Sequence, residues 1–164
     1  MIRLNKNKGF TVPEMLMASV TVMLVFLGIV GIYVMLQTIW MEGNARIDLQ
    51  RQGRLAMECM ARGAEGTDGI MKAVSADVST PGSIKLDAGT REFYLDGSRI
   101  MYDPDTSVSD DEFSVAENVR TSSPGLIFSA SGDIVTIKLN MEDQLGGRTV
   151  NVDLSTKVRL RNTG

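Results

Sequence analysis

The sequence places a carboxylate close behind a Gly-Phe junction near its amino end, in the segment Gly9-Phe10-Thr11-Val12-Pro13-Glu14. Cleavage between Gly9 and Phe10 would create an α-amine four residues before Glu14, and this cation could pair with the carboxylate. The pair could form within one chain or between two neighbouring copies. Because a charge at the centre of a membrane helix costs about 2.5–3.5 kcal/mol, and less near the interface, Glu14 needs such a partner if its helix enters a membrane.

A second group of carboxylates crowds one short loop of the sequence. It consists of Asp103, Asp105, Asp110, Asp111 and Glu112. Carboxylate oxygens are the ligands that calcium prefers, so the loop is a candidate calcium site. It does not match an EF-hand starting at its first aspartate, because Val108 takes the glycine position and Ser114 the bidentate-glutamate position. We favour a loop exposed to solvent, since like charges on loops usually face water.

The amino-acid composition excludes several common kinds of catalytic site. Histidine is absent from the 164 residues and Cys59 is the only cysteine, so histidine-based catalysis, an internal disulfide and a cysteine-rich zinc site are excluded. No nucleophile and base stand at a recognisable spacing. We therefore expect no enzyme activity and no cofactor, with calcium as the one candidate. Cys59 lies near Ala56 and Met60 on the inward side of a predicted helix, where it is expected to be a small apolar filler.

The element that must position Glu14 is a long apolar run. Residues 15–41 contain no Asp, Glu, Lys or Arg and consist mostly of Met, Leu, Val and Ile. As a helix this run would extend about 40 Å, which exceeds the roughly 30 Å hydrocarbon core of a bilayer. Tyr33 and Trp40 near its end are typical of a membrane interface. The run predicts a transmembrane helix, and Pro13 in its first turn is compatible with one.

Three cations and no anion precede this run, namely Arg3, Lys6 and Lys8. The positive-inside rule predicts a cytoplasmic amino end and an extracytoplasmic remainder, anchored by a single membrane pass. A conventional secretory signal has an apolar stretch of about 7–15 residues and a small-residue cleavage site. The run here is longer and no such site follows it. A plain signal anchor would explain the span but would leave Glu14 and the Gly9-Phe10 junction without a role.

The segment KGFTVPEMLMA resembles the amino end of the type IV pilin family, in which a short basic class III leader ends in Gly and precedes Phe-Thr-x-x-Glu and a long apolar helix. The resemblance implies that a prepilin peptidase cleaves after Gly9 and methylates the amine of Phe10, while Glu14 sets the register between subunits. It also implies other pilin subunits and an inner-membrane assembly platform as partners. Loss of the leader would change the formal net charge from −3 to −6, so nucleic acid is not an expected partner.

The rest of the chain predicts a helix followed by antiparallel strands. Amphipathic spacing continues beyond Trp40, which extends the helix over residues 12 to about 62. Glycines between Gly63 and Gly69 are expected to end it, and strand-like alternation begins after Pro81.

Two hairpins are predicted in the strand region. Asp96-Gly97 separates the first pair of strands and tolerates the positive φ angles of a type I′ turn. Gly146-Gly147 separates the second pair, in which apolar residues alternate with polar ones. The last strand is expected to direct Val158 and Leu160 inward. Its opposite face carries Lys157, Arg159 and Arg161.

This basic face has two functional interpretations besides exposure to solvent. It could contact DNA phosphates, but three cations without interleaved aromatic residues are far from a nucleic-acid footprint. It could also meet the acidic loop of an adjoining subunit. A solvated strand face is the simpler interpretation.

We therefore predict an α+β, pilin-like fold, with a long N-terminal helix whose first half spans the membrane and whose second half packs on an antiparallel β-sheet. The predicted domains are a leader peptide (1–9), a transmembrane or fibre-core half of the helix (10–41) and an extracytoplasmic domain (42–164).

A narrower resemblance is to PilW-like minor pilins and GspJ-like pseudopilins. The segments that carry it are Arg54–Gly63, Ile100–Asp103, Glu117–Val119 and Val158–Asn162. We expect a structural subunit, a minor pilin that is assembled into a type IV pilus fibre or primes it. A pseudopilin of a type II secretion system and a membrane-anchored extracytoplasmic binding module remain alternatives.

Overall fold

The computed structural model describes residues 10–64, 66–121 and 125–161. Within these ranges the elements, in chain order, are α1 (Val12–Arg62), β1 (Ala76–Asp77), β2 (Ser83–Leu86), β3 (Arg91–Asp96), β4 (Arg99–Asp103), β5 (Phe113–Ala116), β6 (Leu126–Ser131), β7 (Ile134–Leu145) and β8 (Arg148–Arg159). Two short 3-10 helices, Ile70–Lys72 and Asp87–Gly89, lie between strands or before them. The predicted helix over residues 12 to about 62 is confirmed.

The chain divides into two compact units, Met1–Met41 and Glu42–Gly164. In the first unit, α1 is long and apolar enough to cross a membrane, and its side chains are almost all exposed. The second unit contains the rest of α1 and all of the strands named above.

Helix α1 ends where its glycines predict. Gly63 has a φ of +87°, and its N–H donates to the carbonyl of Cys59 at 2.8 Å. This arrangement is a C-terminal cap with glycine in the αL conformation. A Cβ at Gly63 would lie 2.5 Å from the carbonyl oxygen of Thr67, and one at Gly69 would lie 2.2 Å from the nitrogen of Gly63. Any side chain at these two positions would therefore collide with backbone in the turn that follows the helix.

The strands form two antiparallel sheets where one sheet was expected. The first has the order β1-β2-β3-β4-β5 and the second the order β6-β7-β8. The first strand also begins earlier than predicted, because Ala76–Asp77 pairs with β2 before Pro81. At two residues this strand is too short to show an alternating pattern in the sequence.

The core of the second unit lies where α1 packs on the strands. Leu49, Ala56 and Met60 of α1 are buried, as is the apolar face of β7. The helix lies close to the sheet at Gly53, where a Cβ would lie 2.3 Å from Cδ1 of Leu154. The α+β class is therefore confirmed, with the second half of a long N-terminal helix packed on antiparallel β-structure.

The two hairpins form, but the first has a different turn. Asp96 pairs with Arg99, so the two loop residues are Gly97 and Ser98, and of these only Gly97 has a positive φ, of +58°. This pattern fits a type II′ turn, with glycine in the first central position, and corrects the predicted type I′ turn at Asp96-Gly97.

The second hairpin is confirmed at its predicted place. Leu145 pairs with Arg148 across Gly146 and Gly147, whose φ angles are +56° and +84°. Positive φ at both loop residues is the requirement of a type I′ turn.

Candidate functional site

The start of α1 is built around Thr11 and Glu14. Thr11 precedes the first helical residue, and its carbonyl accepts the N–H of Met15 at 3.1 Å. The backbone N–H and the hydroxyl of Thr11 both donate to Oε2 of Glu14, each at 2.9 Å. The bond from the backbone N–H is one half of a capping box, in which the third helical residue reaches back to the residue that caps the helix. The carboxylate at the edge of the apolar run therefore caps its own helix.

This cap was missed in the sequence, although the Thr-x-x-Glu spacing is the standard signature of a capping box. It changes the account of Glu14, because one carboxylate oxygen already has partners within the chain. The other oxygen, Oε1, has no hydrogen-bond donor among the described residues. The side chain is exposed, so Oε1 is accessible to a cation from outside the helix.

Phe10 lies immediately before the cap and is 83% exposed. Gly9, at the predicted cleavage site, and the leader cations Arg3, Lys6 and Lys8 lie outside the described residues, as does Asn162 of the carboxyl-terminal motif. Of the predicted processing and assembly residues, the structure therefore brings Phe10 and Glu14 to the same helix start.

The first unit exposes an apolar surface along its whole described length. Its large side chains from Val12 to Met41 are at least 42% exposed. Polar side chains within it bond back to the helix itself. Ser19 donates to the carbonyl of Leu16, Thr21 to that of Met17 and Thr38 to that of Val34, at 2.8 to 3.0 Å. Soluble monomers rarely expose contiguous apolar patches of more than a few hundred Å², so this surface needs a cover of lipid or protein.

The acidic loop is organised by its own backbone. The N–H of Asp105 donates to Oδ1 of Asp103 at 3.0 Å, and the N–H and hydroxyl of Ser107 donate to Oδ1 of Asp105. Among the described residues, no three His, Cys, Asp or Glu side chains come together to hold a metal ion. The structure thus does not bring three of the predicted residues Asp103, Asp105, Asp110 and Asp111 together at one point.

Two aspartates of the loop have opposite electrostatic environments. Burial raises the pKa of Asp103 above its ordinary value, and the nearby charges of Asp111 and Glu112 raise it further. The hydrogen bonds from Ser107 lower the pKa of Asp105, which is fully exposed. In the described part of the chain, Oδ1 of Asp111 is buried without a hydrogen-bond partner.

The basic face of Lys157, Arg159 and Arg161, at and just beyond the end of β8, is exposed as predicted, while Val158 and Leu160 are buried. Arg159 forms an ion pair with Asp133 in the turn between β6 and β7. This arginine is therefore already engaged within the chain, which weakens the interpretation of the face as a binding surface for DNA or for an adjoining subunit.

A charged network that the sequence did not reveal fixes the segment after α1. Arg91 forms an ion pair with Asp87, and its guanidinium also donates to the carbonyl of Asp68 at 3.1 Å. Asp87 accepts the N–H of Val74 at 2.7 Å. Burial would raise the pKa of Asp87, but the bonds from Arg91 and from backbone N–H groups lower it below its ordinary value. Arg91 and Asp87 are four residues apart, but the bonds to Asp68 and Val74 span 23 and 13 positions, so no local pattern predicts the whole network.

Cys59 is half-buried, and its Sγ lies 3.4 Å from the hydroxyl oxygen of Thr67. The predicted inward position is thus only partly reached, because the side chain lies at the edge of the core beside the turn that follows α1.

No family model matches the chain, and neither a search of curated proteins nor a search of solved structures found a match.

Proposed function

We propose that the protein is a structural subunit of a type IV pilus, a minor pilin cleaved by a prepilin peptidase after Gly9 and N-methylated at Phe10. The observation that carries the proposal is the exposed apolar helix that starts at the Thr11–Glu14 cap, directly after a Gly-Phe junction. A basic leader, this junction, a carboxylate and a long apolar helix occur in the order that the pilin resemblance requires.

The apolar surface supports an assembly role, because it must be shielded from water both before and after the subunit enters a fibre. Before assembly, lipid covers it as a single span of the inner membrane, with the amino end in the cytoplasm and the β domain outside. After extraction by an inner-membrane platform, equivalent helices of other pilin subunits cover it in the fibre core. The polar side chains that bond back to helix carbonyls suit both environments, since they leave few free polar groups on the surface.

Glu14 supplies the specific contact in this account. Its Oε2 stays with Thr11, and its free Oε1 pairs with the Phe10 amine of a neighbouring subunit. The cap holds the carboxylate in place at the helix start, so the pairing fixes how far one helix is displaced along the next.

Expression of the chain with and without a prepilin peptidase tests the processing step. We expect the intact mass and the amino-terminal peptide to show a species that begins at Phe10 and carries one added methyl group. A Gly9→Val variant should abolish this species. A chain that keeps its leader despite an active peptidase would contradict the proposal and favour a plain signal anchor for an extracytoplasmic binding module.

A further inference from the structure

The side of α1 that faces away from the core carries arginines that form no ion pair with any residue the structure describes. Leu49, Ala56 and Met60 are buried and mark the inward side. With 3.6 residues per turn, a line of exposed side chains runs along the opposite side, and we name it the outer stripe. It consists of Ile47, Arg51, Arg54, Leu55, Glu58 and Arg62.

The arginines of the outer stripe differ in whether they form an ion pair. Arg62 lies 3.7 Å from Glu58, whereas no ion pair joins Arg51 or Arg54 to another residue in the ranges that the structure describes. Ile47 and Leu55, one turn before and after Arg51, are 63% and 58% exposed. Arginine flanked by exposed aliphatic side chains is a composition that protein interfaces favour, and it suits an anionic partner.

The same chain carries the complementary charge in its acidic loop, residues 103–112. Asp110 and Glu112 are exposed, and neither takes part in an ion pair within the described ranges. The outer stripe and the acidic loop are different surfaces, so a contact between them on two copies is heterologous. Heterologous contacts that do not close into a ring generate open helical assemblies.

We propose that the outer stripe of one copy binds the acidic loop of a second copy, with Arg51 and Arg54 facing Asp110 and Glu112. This inference rests on the proposed function, because it assigns a contact between fibre subunits. Contact of two outer stripes with each other is disfavoured by their like charge, so the charge pattern also selects a head-to-tail arrangement.

Cysteine crosslinking between two differently tagged full-length copies tests the contact. One copy carries Glu58→Cys, which leaves both unpaired arginines in place, and the other carries Ser109→Cys in the acidic loop. Both copies carry Cys59→Ala, so that the native thiol does not react. We expect a disulfide-linked pair of the two tags when both copies are expressed with the assembly machinery.

Charge reversal then shows whether the crosslink depends on the proposed pairs. Arg51→Glu with Arg54→Glu in the first copy, or Asp110→Lys with Glu112→Lys in the second, should each lower the yield about tenfold, because like charges then face each other. Combining the two charge-reversed copies should restore the crosslink yield. Arg46→Glu is the matched control, since Arg46 is exposed on the same helix but lies off the outer stripe.

A crosslink that is absent, that ignores both reversals or that falls equally with Arg46→Glu would overturn the inference. Cleavage at Gly9 is measured in the same samples. A cleaved chain without a charge-dependent crosslink contradicts this contact alone, whereas an uncleaved chain contradicts the proposed function, whatever the crosslink shows.

Discussion

Oε2 of Glu14 lies 2.9 Å from both the amide nitrogen and the hydroxyl oxygen of Thr11. The first carboxylate of the apolar helix is thus also its amino-terminal cap. A cap needs only a hydrogen-bond acceptor, whereas pairing with an amine needs a negative charge. Substitution can therefore separate the cap from the proposed pairing.

Glu14→Gln should keep the cap, because a glutamine amide oxygen still accepts the bonds from Thr11, but it should lose the charge. We expect normal cleavage after Gly9 and a strong loss of the chain from fibres, measured as the ratio of fibre-bound to membrane-bound protein. Thr11→Val is the control, since it removes the hydroxyl and leaves the backbone N–H and the charge of Glu14. Equal fibre entry of Glu14→Gln and the unaltered chain would refute charge pairing.

Arg91→Ala should destabilise the second unit by about 1.5–3 kcal/mol, because it leaves the partly buried Asp87 without its charged hydrogen-bond donor. The free energy of unfolding of the full chain in detergent measures this. The pKa of Asp87 is lowered on folding, so its contribution is present above the ordinary aspartate pKa and is lost as pH falls through the lowered value. The difference between the two proteins should therefore shrink in strong acid.

The matched control for this substitution is Arg99→Ala. Arg99 also forms an ion pair, with Glu117, but both side chains are about 60% exposed. Exposed pairs contribute about 0–1 kcal/mol, so Arg99→Ala should change stability little. Equal losses for the two variants would show that burial of Arg91 does not strengthen its network.

Asp103→Asn should raise the melting temperature at pH 7. Burial and the neighbouring charges raise the folded-state pKa of Asp103, so its ionised form opposes folding. The protonated form favours folding below the unfolded-state pKa, and this gain is lost as pH rises through the folded-state pKa. The advantage of the variant should therefore disappear below about pH 4, where the aspartate is protonated in both states.

The expected change in melting temperature has the opposite sign for Asp105→Asn, because hydrogen bonds from Ser107 lower the pKa of Asp105. This variant should lower the melting temperature slightly at pH 7. A fall in melting temperature with Asp103→Asn at pH 7 would contradict the electrostatic account of the loop.

Gly53→Ala should gain less stability than helix propensity alone would give, because the added Cβ would lie 2.3 Å from Cδ1 of Leu154 and 3.3 Å from Cγ of Met141, so both side chains must shift. Gly43→Ala in the same helix meets nothing within 4 Å and should stabilise by up to about 1 kcal/mol through helix propensity. Chemical unfolding of both variants makes the comparison, and equal stabilisation by the two substitutions would show that the helix does not pack closely at Gly53.

Local patterns in the sequence were sufficient for the long helix, for its glycine end and for the Gly146-Gly147 hairpin, because each depends on periodicity or on one turn. They were insufficient for the division into two sheets, since strand pairing depends on distant residues such as Val119, which bridges to Met141. The predicted turn at Asp96-Gly97 lies one residue before the turn that forms at Gly97-Ser98, because Asp and Gly both suit turns.

The candidate site divides in the same way. Glu14 and the Gly9-Phe10 junction were visible because they stand at fixed spacing, and the Thr11 cap was visible in principle. The full network of Arg91 could not be found in the sequence, since Asp68 and Val74 join the nearby pair of Arg91 and Asp87 only through the fold.

The most direct test of the central claim is the composition of fibres sheared from cells that express the full chain. Mass spectrometry of the purified fibres should find this protein as a mature species that begins at N-methylated Phe10. Its recovery only from the inner membrane, in cells whose fibres assemble normally and contain none of it, would contradict its role as a fibre subunit.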